Sequence, residues 1–150
     1  MKNYKYIYPN NAREQEQLNI MLNMEAAGKD PLAPEYIDQK ILFITDFWHV
    51  SKNRFPYKNA KEQFLIVAKG PVYSMAEISA EMWADLQKIW KRLADEYQMD
   101  GGAFCMRFGN PAKSGATLTR VHAHLIMPEE NQRVKFGIGG RTELPEDLHL

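Results

Sequence analysis

The sequence predicts an α+β domain: an antiparallel sheet of about five strands, one long helix packed on one face and an N-terminal helix near an edge. Two observations predict it. Short apolar runs are joined by turns or by a single helix, and the strands do not alternate regularly with helices as parallel sheets require. With 150 residues, 45% of them hydrophobic, the chain is long enough for one domain and too short for two comfortable ones.

Two segments have the apolar spacing of helices. Residues 12–27 carry apolar side chains at helical spacing and are followed by Gly28, where a C-terminal cap belongs. Residues 79–98 have the clearest period in the chain, with apolar residues recurring at steps of three or four and Ser79 suited to N-capping. We expect the second helix to be the long one that packs on the sheet.

Five apolar stretches predict strands, namely residues 41–44, 47–50, 63–68, 103–108 and 117–127. The first two flank a short polar turn and predict a hairpin. The third is apolar on both faces, which is typical of a central strand. Small residues at 110–116 predict a loop before the last strand, and the tail from Pro128 predicts an arm that closes over something rather than core.

Charge and composition narrow the classes of function. The 19 basic and 19 acidic residues cancel, so any affinity for phosphate must be built locally, and neither nucleic acid nor a membrane surface is an expected partner. The single cysteine, Cys105, cannot form an internal disulfide, which fits a reducing cytoplasm. No apolar signal core and no long uncharged run is present, so a soluble cytoplasmic protein is expected.

The last predicted strand separates its side chains by chemistry. Alternation puts Val121, Ala123, Leu125 and Met127 on one face and Arg120, His122 and His124 on the other. Two histidines one residue apart on a strand point the same way, with side chains roughly 6–7 Å apart. They can therefore act on one ligand, and a pair on the polar face of a strand is not the usual arrangement of a core histidine.

The pair and the segment before it have the chemistry of a phosphoryl site. Imidazole titrates near neutrality, so one histidine can attack phosphorus while the other, or Arg120, stabilises developing negative charge. In the small-residue loop, Ser114, Gly115 and Thr117 allow a close backbone approach to an anion and offer hydrogen-bond donors. The position of this loop directly before the histidine strand is what favours a functional interpretation.

These residues carry a resemblance. The stretch 115–126, Gly-Ala-Thr-Leu-Thr-Arg-Val-His-Ala-His-Leu-Ile, resembles the signature of the histidine triad family, with Arg120 in place of the first of three histidines. Upstream, residues 53–56 (Asn-Arg-Phe-Pro) resemble the segment that holds the ribose hydroxyls, and Asn110 lies near an asparagine of the family. The similarity covers about residues 40–127, which would leave an N-terminal helical extension and a C-terminal arm.

The resemblance implies a nucleotide hydrolase or nucleotidyl transferase acting at the α-phosphorus of a dinucleoside polyphosphate or a phosphoramidate. His122 would be the nucleophile, forming a nucleotidyl-histidine, and His124 would act beside it. The implied substrate-binding residues are Asn53, Asn110, Ser114, Gly115, Thr117 and Arg120. A purine nucleotide is the implied substrate, no cofactor or structural zinc is expected, and a two-fold homodimer is implied.

Two other readings remain open. His-x-His on a strand can chelate zinc in a hydrolase, but it needs a third ligand, and His49, His149 and Cys105 have no diagnostic spacing. A nucleotide-binding or interaction module with little turnover would also fit, because Arg120 departs from the triad. Changing Arg120 to histidine would restore the three-histidine pattern, and we expect it to be tolerated.

Overall fold

The computed structural model describes residues 3–150 and contains one five-stranded antiparallel sheet. Its strands are β1 (Ile41–Ile44), β2 (Trp48–Lys52), β3 (Ala60–Ala68), β4 (Ala103–Arg107) and β5 (His122–Pro128). They lie in the order β1-β2-β3-β5-β4. The predicted α+β class, the hairpin and the central position of the third strand are all confirmed. Within residues 3–150, no helix is both long enough and apolar enough to cross a membrane.

The first helix, α1 (Gln15–Ala26), ends where the sequence predicts. Gly28 adopts a left-handed φ of 69°, which only glycine adopts without strain. Its amide donates to the carbonyl of Glu25 at 3.0 Å, and the amide of Lys29 donates to that of Met24 at 2.9 Å. This pair of hydrogen bonds is a Schellman motif, which reverses the chain and sends it back toward the sheet.

The long helix, α2 (Ala80–Glu96), packs on one face of the sheet. The Ser79 hydroxyl caps it by accepting a hydrogen bond from the amide of Met82 at 3.2 Å. The main core lies between α2 and the sheet, and its buried members include Trp48, Phe64, Ile66, Leu86, Ile89, Leu93, Val121, Ala123 and Leu125. Because successive side chains of β3 and β5 point to opposite faces of the sheet, those outside this core point away from α2.

We call the opposite face of the sheet the site face; it carries Leu65, Val67, Arg107, His122 and His124. The chain before β1 and the C-terminal arm, residues 129–150, cover this face and leave a cavity. The N-terminal helix α1, expected near a sheet edge, forms one wall of that cavity. It is held there by a second, smaller core.

The segment 110–121 differs from the prediction in two respects. The predicted loop contains a four-residue helix, α3 (Pro111–Ser114), because Pro111 suits a first helical turn and the Asn110 side chain caps it. The last strand begins at His122 rather than at residue 117. Residues 117–119 instead pair with the N-terminal segment, for example through the amide of Tyr8, which donates to the carbonyl of Thr117 at 2.8 Å.

Candidate active site

A cavity of about 410 Å³ lies on the site face, between the sheet, α1 and the C-terminal arm. The predicted residues that line it are Asn53, Gly115, Thr117, His122 and His124. Apolar lining comes from α1, the connection after it and β3, namely Ile20, Met21, Met24, Leu32, Ile37 and Leu65. Ligand sites typically combine such an apolar wall with a few converging polar groups.

His122 is held in a single orientation at the start of β5. It is buried, and its Nδ1 lies 2.7 Å from the carbonyl oxygen of Arg120. Because a carbonyl only accepts, Nδ1 carries the proton, and the neutral ring keeps its lone pair on Nε2. Burial lowers the pKa of His122, so the ring stays neutral at physiological pH. His122 therefore has the protonation state that a nitrogen nucleophile requires.

His124 has the opposite tautomer. The backbone amide of Tyr57 donates to Oε1 of Gln63 at 2.7 Å, which fixes the orientation of this side-chain amide. Nε2 of Gln63 then donates to Nδ1 of His124 at 3.1 Å, so the proton of the neutral ring lies on Nε2. Burial and the neighbouring His122 set the pKa of His124 well below its usual value. With 5.3 Å between ring centroids, the site pairs a lone-pair donor with a hydrogen-bond donor.

Arg107 is the functional residue that sequence reasoning missed most clearly. It lies directly opposite His122 in the β4–β5 ladder and is buried. Its guanidinium donates to the Ser114 carbonyl and, at 3.2 Å, to the Tyr57 hydroxyl. It also stacks 3.9 Å from the ring centroid of Phe136. A fixed cation therefore lies beside the candidate nucleophile.

Further cations line the cavity. Arg13 stacks 4.2 Å from the ring centroid of Tyr57, and Lys135 and Arg141 come from the C-terminal arm. Among the residues that the structure describes, Asp38 is the only acidic one in this lining, and it is paired with Arg54. A chain with no net charge thus concentrates positive charge around the histidines, where it attracts an anionic ligand.

The Gly115 loop connects α3 to the histidine strand. Gly115 has a left-handed φ of 76°, and a Cβ there would lie 2.7 Å from the Gly139 carbonyl oxygen and 2.8 Å from Nη1 of Arg107. Only glycine fits this approach. Thr117 also lines the cavity, and within residues 3–150 neither its amide nor its hydroxyl forms a hydrogen bond. Both groups can therefore donate to a ligand.

Three predicted asparagine and serine residues have local roles. Asn53 lines the cavity, and its Oδ1 accepts from the amide of Phe55 at 3.0 Å. Asn110 caps α3, and the Ser114 hydroxyl accepts from the amide of Ala116 at 3.3 Å. Neither Asn110 nor Ser114 lines the cavity. Both shape the Gly115 loop from behind.

Arg120, which the resemblance implied as a substrate-binding residue, does not line the cavity. Its Nε donates to Oδ2 of Asp30 at 2.8 Å, and both side chains are buried, with exposed fractions of 6% and 7%. Nη1 donates to the carbonyls of Ala68, Lys69 and Gly70, at the end of β3. These contacts hold the guanidinium of Arg120 away from the residues that line the cavity.

The C-terminal arm contributes residues to the cavity wall. Phe136 packs against His124, with ring centroids 5.5 Å apart. Buried Asn11 ties three segments together: its Nδ2 donates to the Ala116 carbonyl at 2.8 Å, and its Oδ1 accepts from the amide of Arg141 at 2.9 Å. The arm, the N-terminal turn and the Gly115 loop therefore form one connected cover.

A zinc site at the two histidines would need a third ligand, for which the candidates are His49, His149 and Cys105. His49 is fully buried on β2, and its Nε2 donates to the Leu32 carbonyl at 3.0 Å. In the part of the chain that the structure describes, no group of three histidine, cysteine or acidic side chains is arranged to hold a metal ion.

We expect stability to fall with acidification below neutral pH. Burial lowers the pKa of His49, His122 and His124, so below about pH 6.5 the unfolded chain binds protons that the folded chain does not. The free energy of unfolding should then fall as the pH drops below about 6.5, by at most ~1.4 kcal/mol per pH unit for each proton. Urea titrations at several pH values measure this slope.

A matched control separates this effect from general acid sensitivity. His149→Gln, in the exposed tail, should leave the slope unchanged, whereas His49→Gln should make it shallower. Equal slopes for His49→Gln and the unchanged protein would contradict the assignment.

Some of the missed residues had a signal in the sequence. Arg107 is a charged residue that shares a strand face with Ala103 and Cys105 in an otherwise apolar strand, and Gln63 begins the predicted central strand on the face of Leu65. Tyr57 and Phe136 had none, because only long-range packing brings them to the histidines.

No protein-family model and no curated protein sequence matches the chain. Solved structures do match. A histidine triad nucleotide-binding protein from Candida albicans is 20% identical, with a TM-score of 0.57 over 75% of this chain and 80% of that one. A HIT family hydrolase from Legionella pneumophila is 17% identical, with a TM-score of 0.55 over 68% and 92%.

A third solved structure is that of a Plasmodium falciparum diadenosine triphosphate hydrolase. It is 14% identical, with a TM-score of 0.52 over 66% of this chain and 67% of that one. At this level of identity the matches concern the fold. The chain therefore has the fold of histidine triad proteins, as the residues around His122 predicted.

Proposed function

We propose that this chain is a nucleotide hydrolase or nucleotidyl transferase that acts at an α-phosphorus through a covalent intermediate on His122. The observation that carries the proposal is the complementary pair of tautomers. Nε2 of His122 carries a lone pair, and Nε2–H of His124 is a hydrogen-bond donor, in a cavity lined with cations. Such a pair serves displacement at phosphorus better than it serves simple binding.

In the first displacement, Nε2 of His122 attacks the α-phosphorus. An N–P bond forms, and the bond from phosphorus to the leaving group breaks with its electron pair on that group. The free amide and hydroxyl of Thr117 donate to the nonbridging oxygens, and Nε2–H of His124 donates to the departing atom. Donors fixed before the reaction stabilise the transition state without reorganisation.

In the second displacement, water attacks the nucleotidyl-histidine. A P–O bond forms, the P–N bond breaks with its electron pair returning to Nε2 of His122, and one proton of the water passes to solvent. The nucleoside monophosphate then leaves. An acceptor such as phosphate in place of water would make the same chain a transferase. Covalent capture divides one difficult displacement into two easier ones.

The charge of the cavity favours a polyanionic leaving group. Arg13 and Arg107 both contact Tyr57, which packs against His124, and the pKa of Arg13 is lowered chiefly by burial. Cations held this close stabilise departing phosphate oxygens and give no advantage to an amine. We therefore propose a dinucleoside polyphosphate rather than a phosphoramidate, and the Plasmodium structure is named for such a substrate.

The apolar end of the cavity suits the base. Met24 of α1 and Leu65 of β3 lie in the same lining as Phe55 and Asn53. A purine buries more apolar surface there than a pyrimidine, which favours a purine nucleotide. Asn53, which lines the same cavity, is the proposed contact to the ribose hydroxyls.

The test is turnover of a diadenosine polyphosphate beside a fluorogenic adenosine phosphoramidate, with intact-mass detection of a nucleotidyl adduct. We expect hydrolysis of both, with the larger kcat/KM for the polyphosphate, and an adduct whose mass corresponds to one nucleoside monophosphate. Arg107→Met should reduce the preference for the polyphosphate. Binding of either compound without adduct or turnover would instead identify a nucleotide-binding module.

A homodimer stays a prediction, and the structure adds a surface for it. β4 is an edge strand, and Trp83 and Trp90 of α2 are exposed next to Phe104 of β4. Aromatic residues beside an unpaired edge are typical of an interface. Sedimentation that shows only a 17.4 kDa species at micromolar concentration would exclude it.

A further inference from the structure

We propose that Arg120 and Asp30 form a positioning pair that holds the candidate nucleophile, His122, in its reactive orientation through the backbone carbonyl of residue 120. This proposal rests on the proposed function of His122. It assigns a role in orientation to an ion pair that lies behind the cavity and that no substrate would touch.

The carbonyl of Arg120 lies outside the sheet ladder. β5 begins at His122, and the next residue toward the N-terminus, Val121, makes the last backbone contacts with the neighbouring chain, to Val72 and Ala68. Residue 120 is therefore fixed by its side chain rather than by strand pairing. This matters because its carbonyl oxygen accepts the Nδ1 proton of His122 at 2.7 Å.

The guanidinium of Arg120 spans two parts of the chain. On one side, Nη1 donates to three successive carbonyls at the end of β3, including Ala68 at 3.1 Å and Lys69 at 2.9 Å. On the other side, Nε donates to Asp30 at 2.8 Å. A planar group with five donors in a rigid arrangement can hold both at once, which a lysine cannot do.

Asp30 is itself held in place. Its Oδ1 accepts from the amide of Leu32 at 2.9 Å, and its Oδ2 also accepts from the hydroxyl of Tyr73 at 3.2 Å. Nε2 of His49 donates to the Leu32 carbonyl. The carboxylate is thus a fixed anchor, and Arg120 transmits its position to the backbone beside His122.

Two consequences follow for His122. Without the Asp30 anchor, the carbonyl of Arg120 can move and no longer holds the proton of His122 on Nδ1. Part of the protein population then carries the proton on Nε2, which leaves no lone pair there for attack. Loss of the anchor also lets the ring shift, and a displacement of about 1 Å can cost ~100-fold in rate. Substrate binding by the loop and the cations is unaffected, so kcat should fall and KM should not.

The test replaces the pair with apolar side chains, in the double variant Arg120→Met/Asp30→Leu. Replacing both members of a buried ion pair with apolar residues often leaves a fold stable, whereas removing one leaves a charge unpaired. We expect kcat to fall ~10- to 100-fold, with KM within about threefold. In nitrogen-15 NMR spectra of the imidazoles, His122 should change from a single Nδ1–H tautomer to a mixture.

The control is the exposed ion pair on α2, changed as Arg92→Gln/Glu96→Gln, which should leave both readouts unchanged. Tyr73→Phe removes one hydrogen bond to Asp30 without unpairing a charge and should give a smaller shift in the same direction, even if the double variant does not fold. Arg120→Lys keeps a cation beside Asp30, so its kcat should lie between that of the unchanged protein and that of the double variant.

The tautomer measurement needs no turnover, so it tests the positioning pair even if His122 proves not to be a nucleophile. A folded double variant in which His122 keeps its wild-type tautomer and kcat would overturn the proposal. So would an unchanged His122 tautomer in Tyr73→Phe if the double variant fails to fold.

Discussion

His122→Ala should abolish the covalent adduct and turnover while nucleotide affinity stays within roughly tenfold of the unchanged protein. The side chain removed carries the only lone pair aimed at phosphorus in the proposed chemistry. The loop amides, the cations and the apolar wall that hold the nucleotide remain. Acid-free trapping of radiolabelled nucleotide, with a parallel binding titration, measures both quantities.

His124→Ala is the matched comparison, since it removes a neighbouring buried histidine of the same strand. The adduct should still form, more slowly by a factor on the order of 10²–10³, because a hydrogen-bond donor to the departing atom is lost while the nucleophile remains. Label retained by His122→Ala at the level of the unchanged protein would end the assignment. Loss of label in both variants would leave the nucleophile undecided between the two histidines.

Patterns within one segment predicted most of the fold. The period of α2, the cap at Ser79 and the alternation of β5 depend on neighbours within a few residues, and all three are as expected. The short helix α3 was missed although its signals, Asn110 and Pro111, are local, because its small residues suggested a loop. The late start of β5 was missed because it depends on distant pairing. Residues 117–119 leave the strand to bond with residues 6–8, which no local pattern indicates.

The candidate site was likewise predictable only where its residues are neighbours in the chain. His122, His124, Gly115 and Thr117 follow one another in the chain, so their joint position in the cavity could be predicted. The tautomers could not, because Gln63 lies 61 residues from His124. The position of Arg120 outside the cavity could not be predicted either. Its partner, Asp30, is 90 residues away in the chain.

Arg120→His, which restores the sequence pattern of three histidines, should destabilise the protein by about 3–5 kcal/mol, contrary to the tolerance expected from the sequence. An imidazole is too short to reach Asp30 and the three carbonyls together. It leaves a carboxylate that is 93% buried without its cation, and a buried charge without a partner is among the costliest defects a fold can have. Since small domains unfold with only ~5–15 kcal/mol, much of the stability would be lost.

Urea denaturation of Arg120→His beside Arg92→His measures this difference. The second substitution breaks an ion pair whose side chains are about half exposed, at 52% and 48%, and should cost no more than ~1 kcal/mol. Adding Asp30→Asn to Arg120→His removes the unpaired charge and should recover part of the loss, which loss of packing alone would not allow. If the free energy of unfolding of Arg120→His lies within ~1 kcal/mol of that of the unchanged protein, then Asp30 finds another partner, and the ion pair is not what fixes residue 120.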